Sequence, residues 1–253
     1  MCLDGIEGFA SKRKEEPVII PVDSVVLSGD LYRPAGNKQG LIVFAHGSGS
    51  SRHSPRNRYV AGMLQNAGFG TLLFDLLTED EERIDDQTAH LRFDIGLLAD
   101  RLAGVTDFLL QTLQASDSKK QYLIGYFGAS TGAAAALVAA VMKHDVVKAI
   151  VSRGGRPDLA GGWLEHVKAP TLLIVGENDW DVIKLNAEAR ERLKSLKDVE
   201  KRLVIVPGAT HLFEEPGRLE EVAELALGWF TTYLNPEKDK GGQKFHGRIT
   251  KAA

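Results

Sequence analysis

The sequence predicts an α/β protein built on a mostly parallel, doubly wound sheet with helices on both faces. Short, nearly continuous apolar runs recur along the chain, as is typical of strands buried on both faces of a parallel sheet. Helical patterns separate these runs, and such alternation is typical of doubly wound folds. With 253 residues the chain is long enough for one sizeable core. Ligands of such folds bind at the carboxyl ends of the strands, so we expect the chemistry at strand-to-loop junctions.

The apolar runs predict eight strands. Two runs at the start of the chain predict an opening pair: PVIIPV and SVVLSGDLYRP. Six further runs predict the rest of the sheet: GLIVFAHG, GTLLFDLL, QYLIGYFG, VKAIVSRG, TLLIVGEN and RLVIVPG.

Helices are predicted between the strands. One apolar helix face is formed by residues that step by three and four: Ile95, Leu98, Leu102, Val105 and Leu109. Further helices are predicted at about 54–66, 131–143, 184–196 and 217–234. The acidic run EDEERIDD, 79–86, is expected to be a solvated loop before a helix, where negative charge suits the helix N-terminus.

One domain is predicted at 17–234. The segment 1–16 is mixed and charged, and we expect it to be peripheral. The tail, 235–253, has few residues that could build a core, and we expect it to be disordered.

Composition narrows the classes of function. A net charge of −3 and 43% hydrophobic residues describe an ordinary globular balance, which gives no support for nucleic-acid or membrane partners. The one cysteine, Cys2, leaves no internal disulfide, and a reducing cytoplasmic location is expected. The N-terminus has no continuous apolar core and is not expected to act as a secretory signal. The longest apolar run, Ala133–Met142, has ten residues and is far short of a membrane span.

Ser130 is the first candidate for chemistry. It lies where a strand-like run turns into an alanine-rich helix, between Gly128 and Gly132. A strand that turns directly into a helix strains the residue at the turn, and glycines on either side remove Cβ atoms that would collide there. The hydroxyl is then held beside the N–H of Thr131 and the positive helix end, which suits an oxyanion. The alternative is a serine that only caps the helix.

A nucleophilic serine needs a histidine base held by a carboxylate. His211 is the preferred base, because it follows the last strand on a loop at the carboxyl edge of the sheet. His53 lies in a loop near the site and stays open as a substrate contact. The other histidines fit the role of base less well: 46, 90, 144, 166 and 246.

The acid is expected at another strand end, between serine and histidine in chain order. The run TLLIVGENDWDV offers Glu177, Asp179 and Asp181. Asp179 is preferred, because it follows a tight turn from which a short side chain can reach inward. Asp181 is the reserve candidate and could instead cap the next helix.

The second oxyanion donor is expected from the loop after the third strand. The sequence His46-Gly47-Ser48-Gly49 supplies it, with the Ser48 N–H as donor beside the Thr131 N–H. His46 is expected to organise this loop by hydrogen bonding. A plain flexible loop is the alternative.

The ordered motifs resemble the α/β-hydrolase superfamily over about 17–234. More narrowly, three segments resemble the dienelactone-hydrolase-like branch of serine esterases: FAHGSGSSRHSPRNRYVAGML, GYFGASTGAAAAL and VGENDWDV. The resemblance implies Ser130 as nucleophile, Asp179 as acid and His211 as base. Dienelactone hydrolases proper use cysteine as nucleophile, so the serine favours ordinary carboxylic esters. The segment between the sixth and seventh strands is short, which predicts a minimal lid and an open pocket for small or medium acyl groups.

Substrate contacts are predicted at Arg52, Arg153, Trp163 and Trp180. Arginines 52, 56 and 58 follow the oxyanion loop, and 153 and 156 follow the sixth strand. If both groups face the pocket, they would attract a carboxylate or phosphate of the substrate. The alternative is that they lie on a solvated face and pair with acids. Trp163 and Trp180 could line the pocket or serve only in packing.

The sequence therefore predicts a cofactor-independent serine hydrolase that acts on small-molecule esters, including anionic ones. No metal site is expected, because the acidic run lacks histidine spacing. Two other functions stay open: transfer of the acyl group to an alcohol, amine or peroxide, and ligand binding without turnover.

Overall fold

Eight strands form one sheet in the computed structural model, which describes residues 15–34, 40–116, 122–193 and 199–234. All eight predicted strands are present. Their bounds are β1 Glu16–Val22, β2 Val25–Tyr32, β3 Leu41–Ala45, β4 Gly70–Phe74, β5 Ile124–Ala129, β6 Val147–Arg153, β7 Thr171–Gly176 and β8 Lys201–Val206. The predicted peripheral segment, except for residues 15 and 16, and the predicted tail lie outside the described residues.

The sheet is mostly parallel. Its strand order is β1-β2-β4-β3-β5-β6-β7-β8, with antiparallel pairing only of β1 with β2 and of β2 with β4. Strands β3 to β5 are wholly buried, which explains why they read as continuous apolar runs. Strand β5 lies between β3 and β6, so the loops after these three strands meet at one edge of the sheet.

Helices cover both faces of the sheet. Their bounds are α1 Pro55–Asn66, α2 Glu79–Thr88, α3 Ile95–Ser116, α4 Thr131–Met142, α5 Trp180–Leu193 and α6 Arg218–Tyr233. One core cluster packs residues of α3, α4 and α5 on one face, and a second packs α1 and α6 on the other. The predicted doubly wound α/β architecture is confirmed.

Two local predictions were wrong. The acidic run is not a loop but helix α2, Glu79–Thr88. The Thr78 side chain accepts a hydrogen bond from the Glu81 N–H, and the Glu81 carboxylate accepts one from the Thr78 N–H, so a capping box starts this helix. Helix α5 begins at Trp180, about four residues before its predicted start.

No helix within the described ranges is both long and apolar enough to cross a membrane. The longest helix in the described part of the chain, α3, has 22 residues. It lies against α4 and the first strand, where one of its faces joins the core.

Candidate active site

Ser130 lies at the junction of β5 and α4 in a strained backbone conformation. Its φ is 50° and its ψ is −122°, a combination that non-glycine residues rarely adopt. The serine side chain makes no capping hydrogen bond to α4. The alternative of a helix-capping serine is therefore wrong, and the hydroxyl is left at the strand end.

The two glycines that flank this turn permit very close packing. A Cβ on Gly132 would lie 2.3 Å from the carbonyl oxygens of Ala45 and His46, and one on Gly128 would lie 2.5 Å from the Cα of Ala133. Both spaces are bounded by backbone, which cannot move aside as a flexible side chain could. The helix can therefore start against β3 only because these residues are glycines.

His211 and Asp179 form a hydrogen-bonded pair. The imidazole Nδ1 is 2.6 Å from the Asp179 Oδ2, and the carboxylate side chain is only 15% exposed. A proton on Nδ1 shared with this carboxylate leaves Nε2 as the basic nitrogen. Of the other candidate acids, Glu177 accepts from the Gly208 N–H, and Asp181 is exposed in the first turn of α5.

Ser130 and His211 both border the end of β6. The Ser130 N–H donates to the Arg153 carbonyl at 3.3 Å. A Cβ on the next residue, Gly154, would lie 3.4 Å from the His211 Cε1, so the imidazole packs against this glycine. The serine and the imidazole thus flank the same two residues.

The loop after β3 lies against the elbow. A Cβ on Gly47 would lie 2.9 Å from the Ser130 Cβ. His46 anchors the loop, since its Nδ1 contacts the Gly47 carbonyl at 3.0 Å and its Nε2 accepts from the Leu76 N–H at 3.0 Å. Burial lowers the pKa of His46, opposed by the Gly47 hydrogen bond and the charge of Asp75. This neutral imidazole fits the organising role that the sequence predicted.

A cavity of about 230 Å³ opens beside this loop. Both predicted oxyanion donors, Ser48 and Thr131, belong to its lining. Leu76, Leu77 and Leu98 give it an apolar wall. The remaining lining residues are His46, Gly47, Gly49, Ser50, Ser51, Glu82, Asp85, Asp86 and Arg92.

Arg92 is a pocket residue that sequence reasoning missed. It follows α2 and is held by Asp85, whose buried carboxylate also accepts from the Leu91 and Arg92 N–H groups at 2.7 and 3.1 Å. Burial would raise the pKa of Asp85, but the hydrogen bonds from Arg92 and Leu91 produce a net lowering. A Cβ on Gly49 would lie 3.7 Å from a terminal nitrogen of Arg92, so the guanidinium also reaches the loop after β3. No local sequence pattern predicts this pairing, because it depends on the turn that follows α2.

Most of the arginines that the sequence placed near the pocket are paired with acids. Arg52 bonds to Asp75 through both its backbone N–H and its guanidinium, and it lies 3.9 Å from Asp30. Its charge is therefore already compensated, which is the alternative left open above. Other pairs join Arg56 to Glu214, Arg58 to Asp30 and Glu15, and Arg156 to Asp158.

Arg153 differs from these arginines. It is 6% exposed at the end of β6. Within the described ranges, its Nε has no hydrogen-bond partner and its guanidinium forms no ion pair.

The two predicted pocket tryptophans lie outside the 230 Å³ cavity. Trp163 is 48% exposed in the 3₁₀ segment Pro157–His166, and Trp180 is 78% exposed next to Asp179. The apolar wall of that cavity is formed by leucines instead. Among the described side chains, no group of three or more His, Cys, Asp and Glu is placed to hold a metal ion.

Comparison with known proteins points to one family. The profile of the dienelactone hydrolase family matches residues 27–236. A dienelactone hydrolase from Anabaena variabilis, known from a crystal structure, is 57% identical in sequence to this chain. The two structures superpose with a TM-score of 0.80. That match covers 87% of this chain and 98% of the Anabaena chain.

More distant and longer proteins are also similar. An esterase from Pyrococcus furiosus shares the fold, with a TM-score of 0.68 at 17% identity over 92% of this chain and 95% of its own. Proteins from two strains of Mycobacterium tuberculosis, whose names carry a provisional assignment as phosphoribosyl transferases, are 53% identical over 87% of this chain. The chain spans 47% of the length of these curated relatives. These likenesses confirm the α/β-hydrolase fold and the family resemblance that the motifs predicted.

Proposed function

The chain belongs to the dienelactone hydrolase family, and on that premise we propose that it is a serine hydrolase of carboxylic esters. One observation carries the proposal: a strained Ser130 and a His211–Asp179 pair flank the same strand end. Serine gains nucleophilicity only from such a base. The backbone strain at Ser130 fits the same role, because strained residues that hold no structural bond concentrate at reactive sites.

The proposed reaction proceeds through an acyl-enzyme. His211 Nε2 removes the proton of the Ser130 hydroxyl as its oxygen attacks the ester carbonyl carbon. The N–H groups of Ser48 and Thr131 hold the oxyanion, and Asp179 stabilises the imidazolium. The imidazolium then returns its proton to the departing alcohol oxygen, and water hydrolyses the acyl-enzyme by the same steps in reverse.

The cavity beside the oxyanion loop is the proposed acyl pocket. Its volume of about 230 Å³ lies below the roughly 300–1,000 Å³ of pockets for drug-sized ligands, which favours small to medium acyl groups. Residues of α2 line one side of this pocket. The pocket is therefore bounded by the chain that follows β4, and not by a lid between β6 and β7.

The acceptor of the acyl group is proposed to be water. Pocket shape selects the acceptor, so transfer to an alcohol, amine or peroxide would use the same three residues. Phosphoribosyl transfer is not proposed, because that name describes proteins of which this chain matches about half.

The test is ester turnover by wild type and Ser130→Ala across p-nitrophenyl esters from acetate to decanoate. We expect the highest kcat/KM at short or medium chain length. We expect Ser130→Ala to lose about 10³-fold or more in kcat, since members of such a triad act as one unit. Equal turnover by the two proteins would reject the proposal. Assays with competing alcohols and peroxide would then separate hydrolysis from transfer.

A further inference from the structure

Arg153 places an uncompensated positive charge beside the candidate active site. Its side chain emerges two residues after Val151, so it lies on the sheet face that α1 and α6 cover. A buried guanidinium without a carboxylate is costly, because burial removes its water and nothing replaces that water. Among the described residues, Arg153 has no such partner.

Arg56 adds a second positive charge. It lies in the first turn of α1, where the positive end of the helix dipole adds to its charge. Burial, and then the neighbouring charge of Arg56, lower the pKa of Arg153 to about 10, so the Arg153 guanidinium is still charged at neutral pH. Glu214, at 3.0 Å, compensates Arg56 alone. The two arginines together carry more positive charge than the acids that they contact.

This pair lies across the sheet from the acyl pocket. The pocket is walled by Leu98 of α3 and Thr131 of α4, whereas Arg153 and Arg56 lie on the α1 and α6 side. Ser130 lies between the two regions. A substrate bound across the serine with its acyl group in the pocket would extend its alcohol group toward Arg153.

The position of His211 agrees with this orientation. The imidazole must reach the departing alcohol oxygen in order to protonate it. It packs against Gly154, the residue directly after Arg153. The base and the free guanidinium therefore both lie at the carboxyl end of β6.

We propose that Arg153, with Arg56 beside it, binds a carboxylate or phosphate on the alcohol portion of the ester substrate. This inference rests on the proposed hydrolase function. An anion in that position would supply the missing counter-charge and hold the leaving group near His211.

The first test compares acetate esters that differ in the charge of the alcohol. Matched substrates are 4-acetoxybenzoate and 4-acetoxyphenyl phosphate, with the neutral 4-acetoxybenzamide as reference. We expect the ratio of kcat/KM for each anionic ester to that for the amide to fall about 10- to 100-fold in Arg153→Met, and less in Arg153→Lys. The larger fall identifies the anion that fits better.

An unchanged ratio in Arg153→Met would overturn the inference while leaving the hydrolase proposal intact. The hydrolase proposal fails separately, if wild type cleaves none of these esters or if Ser130→Ala cleaves them equally. A second pair of esters, p-nitrophenyl hemisuccinate and p-nitrophenyl butyrate, places the charge on the acyl side. A loss confined to that pair would also overturn the inference.

The second test measures anion binding by thermal unfolding. We expect sodium benzoate or phosphate to raise the Tm of wild type above that in sodium chloride of equal ionic strength. We expect Arg153→Met to show no such rise and to have the higher Tm without added anion, because it lacks the unpaired buried charge. An equal anion effect on both proteins would contradict the inference.

Discussion

The backbone conformation of Ser130 destabilises the fold, and we attribute it to the proposed chemical role of this residue. Its φ of 50° and ψ of −122° belong to a region that glycine occupies far more readily than serine. Residues held in such regions cost about 1–3 kcal/mol each. Because the side chain makes no capping hydrogen bond to α4, no such bond offsets this cost.

The strain predicts that Ser130→Gly is more stable than Ser130→Ala. Both variants lack the hydroxyl, but only glycine relieves the backbone conformation. We expect a difference of about 1 kcal/mol in the free energy of unfolding, after the entropy cost of glycine. Urea denaturation of the two variants measures it, and equal stabilities would show that the turn is not strained.

His46 predicts a dependence of stability on pH. Its folded pKa is lowered from 6.5, so above pH 6.5 both states are neutral there and this residue adds no pH dependence. As the pH falls below 6.5, the unfolded state binds a proton that the folded state refuses, and the free energy of unfolding decreases until the lowered pKa is reached.

We therefore expect the stability advantage of wild type over His46→Gln to shrink between pH 7.5 and pH 5.5. The change is at most about 1.4 kcal/mol, the value of one pH unit for one proton. Parallel urea titrations at the two pH values measure it. A constant difference would mean that the imidazole is not held neutral in the fold.

The sequence pointed to the candidate site residues more readily than to the partners of the nearby arginines. Ser130, Asp179 and His211 could be proposed because each lies within five residues of the end of a strand-like run. The pairing of Arg52 with Asp75 joins residues 23 positions apart, and no local sequence pattern predicts it. The absence of a described carboxylate partner for Arg153 likewise depends on which residues pack around it. The sequence alone does not show those residues.

At the scale of elements, the start of α4 fixes the shape of the site. Gly132 brings the helix so close to β3 that a Cβ would lie 2.3 Å from two carbonyl oxygens. These carbonyls belong to Ala45 and His46, where the loop after β3 begins. The packing of one glycine therefore determines where the loop lies.

Gly132→Ala is predicted to damage both stability and turnover. The overpacked methyl group is expected to cost about 1–3 kcal/mol or more in the free energy of unfolding. Displacement of the loop should reduce kcat by about 10²-fold, as for the loss of one oxyanion donor.

Gly62→Ala is the matched control, because Gly62 also lies in a helix and a Cβ there meets nothing within 4 Å. This variant should keep wild-type kcat and gain up to about 1 kcal/mol. Equal effects of the two substitutions on kcat would contradict the assigned role of Gly132.

Helix α2 was predicted as a loop because its sequence lacks the usual apolar pattern of a helix. Its ten residues are mostly polar on every side, and its one large apolar residue, Ile84, is 53% exposed. No apolar stripe could mark it as a helix. The capping box and a pair between Glu81 and Arg101 at 2.9 Å stabilise it instead. The spacing of Thr78 and Glu81 was the local signal for its start.

At the scale of the whole molecule, strand order assembles the site. Strands β3, β5 and β6 are neighbours, so the loop after β3, Ser130 and Arg153 meet although they are far apart in sequence. Asp179 and His211 follow β7 and β8, the next two strands of the sheet. The rules of parallel sheets made this convergence predictable, because ligand sites form at the carboxyl ends of such strands.

Covalent labelling with a fluorophosphonate, followed by peptide mass spectrometry, tests directly whether Ser130 is a nucleophile. We expect a single adduct on Ser130, formed at least about 10²-fold more slowly in His211→Ala and more slowly in Asp179→Asn. An esterase of known reactivity, labelled in parallel, controls for the reagent. Failure of wild type to react under those conditions, or an adduct elsewhere with Ser130 unmodified, would contradict it.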